Sequence, residues 1–180
     1  MNEGLIPRRY AKALLKVAQE HGDDKRLYSL MGTLAASFEA HPDLSTAVAN
    51  PFISADEKIK LLTTAAGAGD KDVTYADFLK LLRNNSRMPL VRGIALAYGE
   101  DYRRSNNIYK VEVTAAAPMD SAEESRLKKL VQSHLKGGTM EYTFKVDPDL
   151  IGGFTVSIGS EKLDSSVRNS LNELRLKLLG

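Results

Sequence analysis

Residues 140–174 read MEYTFKVDPDLIGGFTVSIGSEKLDSSVRNSLNEL, and this run decides what kind of fold the chain has. Met140, Tyr142, Phe144 and Val146 alternate with Glu141, Thr143, Lys145 and Asp147, the period of two of a strand with one buried face. Asp147-Pro148-Asp149 turns the chain. Leu150-Ile151-Gly152-Gly153 leads into a second alternating strand that carries Phe154, Val156 and Ile158. After Gly159, Asp164-Ser165-Ser166 is expected to cap a terminal helix, with Val167, Leu171, Leu174 and Leu178 as its apolar stripe.

Working backwards from this run, Tyr109, Val111 and Val113 alternate with Lys110, Glu112 and Thr114, which predicts another strand. Ser121 with Glu124 reads as a capping box that opens a helix through Leu127, Leu130, Val131 and His134, ending at Gly137-Gly138. Residues 106–180 therefore predict a βαββα unit, in which the first two strands either pair in parallel or straddle the third. Ser105-Asn106-Asn107 marks the change of period. Before it the spacing is helical: Tyr10, Leu14, Val17 and Ala18 recur up to His21-Gly22, and Leu27, Leu30, Met31, Leu34 and Phe38 form the next stripe, behind a cap at Asp23 or Asp24. Pro42 opens a short piece with Leu44 and Val48. Ser54 with Glu57 is a second capping box, ahead of Ile59, Leu62 and Ala65. Asp72 opens a helix with Tyr75, Phe78, Leu79 and Leu82, and Pro89 starts a long one through Ile94, Ala97 and Tyr98. Residues 1–105 thus predict a six-helix bundle, and the fold class is mainly α with a smaller α/β part.

The 180 residues carry 25 basic and 23 acidic side chains, which offers no special support for a polyanion partner. There is no cysteine, so disulfides, thiolate catalysis and cysteine metal sites are excluded. The opening Met1-Asn2-Glu3-Gly4-Leu5-Ile6-Pro7-Arg8-Arg9 lacks a signal-like apolar core, and no apolar run approaches the roughly 20 residues of a membrane span. The expectation is a cytoplasmic protein that reaches a membrane only through partners.

Catalytic chemistry is hard to find. His21, His41 and His134 stand alone, without metal-ligand spacing. Gly152-Gly153 and the residues after them lack the glycine-lysine-serine/threonine core of a phosphate loop, and they precede a strand. Asp147 and Asp149 read as turn residues, and Ser165-Ser166 as a cap. Arg8-Arg9 and Arg103-Arg104 read as solvated helix faces. What remains is an apolar surplus. The first helix carries Tyr10, Leu14 and Val17 on one stripe and Ala11, Leu15 and Ala18 on another, more than a small bundle easily buries. Some of this surface is expected to form a groove for a partner's amphipathic helix.

The segments DPDLIGG and LDSSVRNSL resemble the C-terminal signature of the delta subunits of bacterial F-type ATP synthases, the family of the mitochondrial oligomycin-sensitivity-conferring protein. Arg9-Tyr10-Ala11-Lys12-Ala13-Leu14, Asn50-Pro51-Phe52-Ile53 and Phe78-Leu79-Lys80-Leu81-Leu82-Arg83-Asn84-Asn85-Ser86-Arg87 are similar to further family segments, in the family's order. The resemblance implies a non-catalytic stator subunit without a cofactor or metal, at the cytoplasmic face of the bacterial inner membrane. It implies that residues 1–105 hold the N-terminal helix of an alpha subunit between the first and fifth helices. The residues expected there are Tyr10, Ala13, Leu14 and Val17 with Phe78, Leu79 and Leu82. It further implies that residues 106–180 meet the C-terminal region of the peripheral b stalk, with Phe154, Leu171, Leu174 and Leu178 as the expected contacts. Neither nucleic acid nor direct membrane insertion is expected. The chain has no tryptophan, so any aromatic contact falls to Tyr28, Phe38 or another residue. The competing readings are an unrelated helical adaptor and a nucleic-acid-binding protein using Arg8, Arg9, Arg87, Arg92, Arg103 and Arg104.

Overall fold

The computed structural model describes residues 4–135, 137–159 and 161–179, with the side chains of residues 172–174 and 177–179 outside the description. Eight α-helices and a four-stranded sheet follow one another along these residues, and the chain divides into two compact units between Arg103 and Arg104.

The first unit contains α1 (Leu5–His21), α2 (Asp24–Ala40), α3 (Asp43–Ala49), α4 (Ala55–Ala66), α5 (Val73–Asn84) and most of α6 (Val91–Ser105). Its elements begin and end where local chemistry stops a helix. Gly22 takes φ 74° and closes α1 by donating its N–H to Ala18 and Gln19 carbonyls. Ser54 and Glu57 form the capping box of α4. Pro89 lies in a one-turn 3-10 segment, Met88–Leu90, and α6 begins just after it. The apolar stripe of α2 (Leu27, Leu30, Met31, Leu34 and Phe38) is buried throughout, as are Leu62 of α4, Tyr75 and Leu79 of α5 and Ile94 and Tyr98 of α6. Two core tyrosines keep their hydroxyls paired: Tyr75 donates to the Leu62 carbonyl at 2.9 Å and Tyr98 to the Asp24 carbonyl at 3.2 Å. Tyr28 stacks on Tyr102 with centroids 4.3 Å apart, and Arg103 donates to its hydroxyl.

The second unit is β1 (Ile108–Ala115), α7 (Ser121–His134), β2 (Thr139–Val146), β3 (Gly153–Ile158), β4 (Glu161–Ser166) and α8 (Val167–Leu179), with strand order β2-β1-β3-β4. β1 pairs in parallel with β2 and antiparallel with β3, so of the two options left open by the crossover helix the direct parallel pairing is the one used, and the third strand lies on the other edge of β1 rather than between the first two. The expected βαββα order is corrected to βαβββα. Residues 161–166 form a fourth strand that returns along β3, with Val156 opposite Leu163. Its sequence hides it, because Leu163 is the one apolar residue of EKLDSS. The capping box of α7 also lies one residue earlier than expected, between Asp120 and Glu123, because Ser121 is already helical. Ser166 is the cap of α8: its Oγ accepts from the Asn169 N–H at 3.1 Å and donates to Asp164 at 2.6 Å. Gly153 opens β3 at φ 74°, where a Cβ would collide with the Ser165 carbonyl, so the hairpin partner passes too close for any side chain.

α7 covers one face of this sheet. Val111, Val113, Val156, Leu127, Val131 and Leu135 form the core, with Met140, Tyr142, Phe144, Phe154 and Ile158 packed around it. The other face is polar and carries the Lys145–Glu112 ion pair at 3.0 Å.

In the first unit, Arg26 of α2 makes a two-point contact with Asp72, which also accepts from the Gly69 N–H at 2.8 Å; the two Arg26 bonds are 2.8 and 2.9 Å. This clip anchors the start of α5. The Arg26 hydrogen bond, helped by that of Gly69, holds the Asp72 carboxyl below its ordinary value of 3.8. A lowered folded-state value stabilises the protein above the unfolded value and is lost as pH falls through the folded one. Asp72→Asn is therefore expected to lower the Tm at pH 7, with the gap to wild type closing in acid below 3.8; a gap that stays constant across that range would overturn the assignment.

Candidate functional site

Two apolar stripes on α1 have separate fates. Ala11, Leu15 and Ala18 are buried in the core. Tyr10, Ala13, Leu14 and Val17 instead form one wall of a groove of about 330 Å³, and Thr74, Asp77, Phe78 and Leu81 of α5 form the other. Residues three and four apart share a helix face, which is why these positions line up. Leu14 and Phe78 are nearly buried and make the floor, whereas Val17 at 41% and Leu81 at 49% exposure stand on the lips.

Polar side chains tie the groove at both ends. Asn85 Nδ2 donates to the Tyr10 hydroxyl at 3.2 Å, and His21 Nδ1 lies 3.2 Å from Thr74 Oγ1. With Tyr10 beside Asn85 and His21 beside Thr74, the two helices run antiparallel along the groove. The span from Tyr10 to His21 is about 16 Å at helical rise, or three turns.

Five of the residues expected here line this groove: Tyr10, Ala13, Leu14, Val17 and Phe78. Leu79 and Leu82 do not. Both are fully buried at 0% exposure on the core side of α5, so neither is open to a docked helix. The residues that replace them are Leu81, Asp77 and Thr74, with His21 at the end of α1. Leu81 was findable, since it stands three residues beyond Phe78; the sequence reading missed it because Leu79, Leu81 and Leu82 are equally apolar.

In the second unit Phe154 is half-buried and lines a cleft of about 420 Å³ between α7 and β3–β4. Leu171 on α8 is exposed, and the side chains of Leu174 and Leu178 lie outside the described residues. A polar hollow lies near the start of α8, among Asp147, Thr155, Asp164 and Ser166. Its carboxylates are engaged locally: Asp147 accepts from the Asp149 N–H, and Asp164 from Ser166. The Ser166 hydroxyl and N–H hold the Asp164 carboxyl below its ordinary range. His21 sits in the groove wall, while His41 and His134 are exposed near the ends of α2 and α7. Among the described residues no group of three histidine, aspartate or glutamate side chains is placed to hold a metal ion.

Residues 6–178 match the family described as ATP synthase delta (OSCP) subunit. The protein named ATP synthase subunit delta of Parabacteroides distasonis is 37% identical over 179 residues, covering 99% of this chain and 98% of that one. Its namesake from Phocaeicola vulgatus is 35% identical over 176 residues, covering 98% and 95%. A chain in the cryo-EM structure of the Toxoplasma gondii mitochondrial ATP synthase hexamer has a similar fold, with TM-score 0.75 at 20% identity over 97% of both chains.

The division between floor, lip and core has a measurable consequence. Leu79→Ala is expected to cost about 2–5 kcal/mol of stability, whereas Leu81→Ala stays within about 0.5 kcal/mol. Urea unfolding of both variants checks this, and equal losses would refute the placement of Leu81 on the lip.

Proposed function

The chain belongs to the ATP synthase delta (OSCP) subunit family, and from that premise we propose that the groove between α1 and α5 is the seat of an alpha subunit's N-terminal helix. The protein is a non-catalytic stator subunit of the F-type ATP synthase, linking the catalytic head to the peripheral stalk. No described helix is long and apolar enough to cross a membrane, and its association with the membrane complex is peripheral. Residues 1–105, read as the family's six-helix bundle, take the alpha-binding role. Residues 106–180 take the C-terminal region of the b stalk, at the cytoplasmic face of the bacterial inner membrane.

The observation that carries this reading is the exposed apolar pair Val17 of α1 and Leu81 of α5, which stand on the two walls of a groove floored by Leu14 and Phe78. An amphipathic helix laid into the groove covers this surface with residues spaced three and four apart. Apolar burial drives the docking at about 25 cal/mol per Å² gross, before ordering and association costs are subtracted. The contact makes and breaks no bond. It resists torque, so that the head stays still while the central rotor turns and the rotation is converted into ATP synthesis.

Calorimetric titration of the full chain with the N-terminal peptide of the same organism's alpha subunit tests this. One-to-one binding with a negative heat-capacity change is expected. Val17→Asp and Leu81→Asp, both on the lips, are expected to weaken it about 100-fold while leaving the Tm nearly unchanged. Normal binding by the folded variants would refute the groove as the seat.

A further inference from the structure

The sheet of the second unit ends on one side at β2, and that edge is open. Thr139 donates its N–H to the Asn107 carbonyl at 3.0 Å, and Asp147 donates its N–H to the Ala115 carbonyl at 2.8 Å. The odd-numbered residues of β2 therefore direct their backbone groups to β1. The even-numbered ones, Met140, Tyr142, Phe144 and Val146, turn N–H and C=O outwards, where these groups meet no partner among the described residues. An unpaired row of this kind along an eight-residue strand is a template for another strand. The opposite edge, β4, is shorter at six residues, and α8 packs on it.

We propose that the strand added at this edge is β2 of a second copy of this chain, antiparallel, about a two-fold axis through Thr143. In that register even-numbered residues face even-numbered ones across the seam, so every outward N–H and C=O of the strand is paired. On the polar face Glu141 lies opposite Lys145 of the second copy and Lys145 opposite its Glu141, with Thr143 against Thr143. On the face that carries α7, Tyr142 meets Phe144, and Met140 meets Val146, which is 47% exposed in the single chain. Sliding one copy by two residues loses both ion pairs, and in one direction it sets Glu141 against Asp147. Charged side chains ordinarily keep an edge strand from pairing. Here their signs select one partner, an identical copy in an isologous contact, and the four-stranded sheet is doubled across the seam. The contact lies outside the groove of the first unit and does not depend on the alpha-helix reading.

The chain has no cysteine, so one introduced thiol reports the register. Thr143 is exposed, and in this pairing it faces its counterpart in a non-hydrogen-bonded pair about 4.5 Å apart at Cα, within disulfide reach. Mild oxidation of full-length Thr143→Cys is expected to give a covalent dimer on a non-reducing gel. Thr139→Cys, also exposed but at the far end of the strand from its counterpart, is expected to stay monomeric. Sedimentation equilibrium of the wild type across the micromolar to millimolar range is expected to show a concentration-dependent dimer. Lys145→Glu and Glu141→Lys are each expected to weaken it about 10-fold at low salt, and mixing the two variants to restore it. Val146→Pro removes an outward N–H without touching the β1 ladder, and is expected to abolish the dimer. A wild-type chain that stays monomeric throughout, equal cross-linking of the two cysteine variants, or a dimer that survives Val146→Pro overturns the proposal.

Discussion

The contact between α1 and α5 has to bury apolar surface and still leave some of it open, and the architecture of the first unit answers to that constraint. Ala11 and Ala18 are small and completely buried, which lets α1 sit close against the core on one side. On the other side Leu14 and Phe78, both nearly buried, floor the groove between the two helices. The Tyr10–Asn85 and His21–Thr74 contacts then pin the two ends, so the groove is held in register by polar atoms at its margins while its centre stays apolar. The Arg26–Asp72 clip secures the start of α5, one wall of the groove.

The second unit meets a similar constraint with different parts. A sheet face needs a layer against it, and α7 supplies half of one. The opposite face carries threonine, serine and paired charges such as Lys145–Glu112, with Thr155 on it buried near Leu150. Apolar demand is thereby concentrated in the cleft over β3 and β4. Each unit ends with one unfinished apolar layer, an arrangement suited to a connector whose contribution is binding free energy rather than chemistry. The groups that resemble chemical sites in sequence are spent on the fold itself. Asp147 closes a turn, Ser166 caps α8 and Gly153 clears the backbone of β4.

The helical half was legible because its signals are local. The α2 stripe, the Ser54–Glu57 box and the Gly22 stop each depend on residues within one or two turns. β4 was not legible. With one apolar residue in EKLDSS, its pairing is decided by β3 across the hairpin and by the absence of a side chain at Gly153. The capping box of α7 slipped by one because Asp120-Ser121 offers two capping residues in succession. The extended backbone at Asp120, with ψ 164°, selects between them.

The sequence by itself determined the type of every helix and of the first three strands, the change from helical to alternating period near Ser105, the surplus of apolar stripes on α1, and the family through its ordered segments. Those are properties of neighbouring residues, and spacing and composition carry them. Only the tertiary structure decided which of three similar leucines on α5 faces outwards. Leu79 and Leu82 fell to the core and Leu81 to the groove, because the direction from which α1, α2 and α4 pack sets which arc of a helix is inside. It likewise decided that the open apolar surface of the second unit lies between α7 and β4. Strand order and the placement of one covering helix are long-range facts, and no local pattern encodes them.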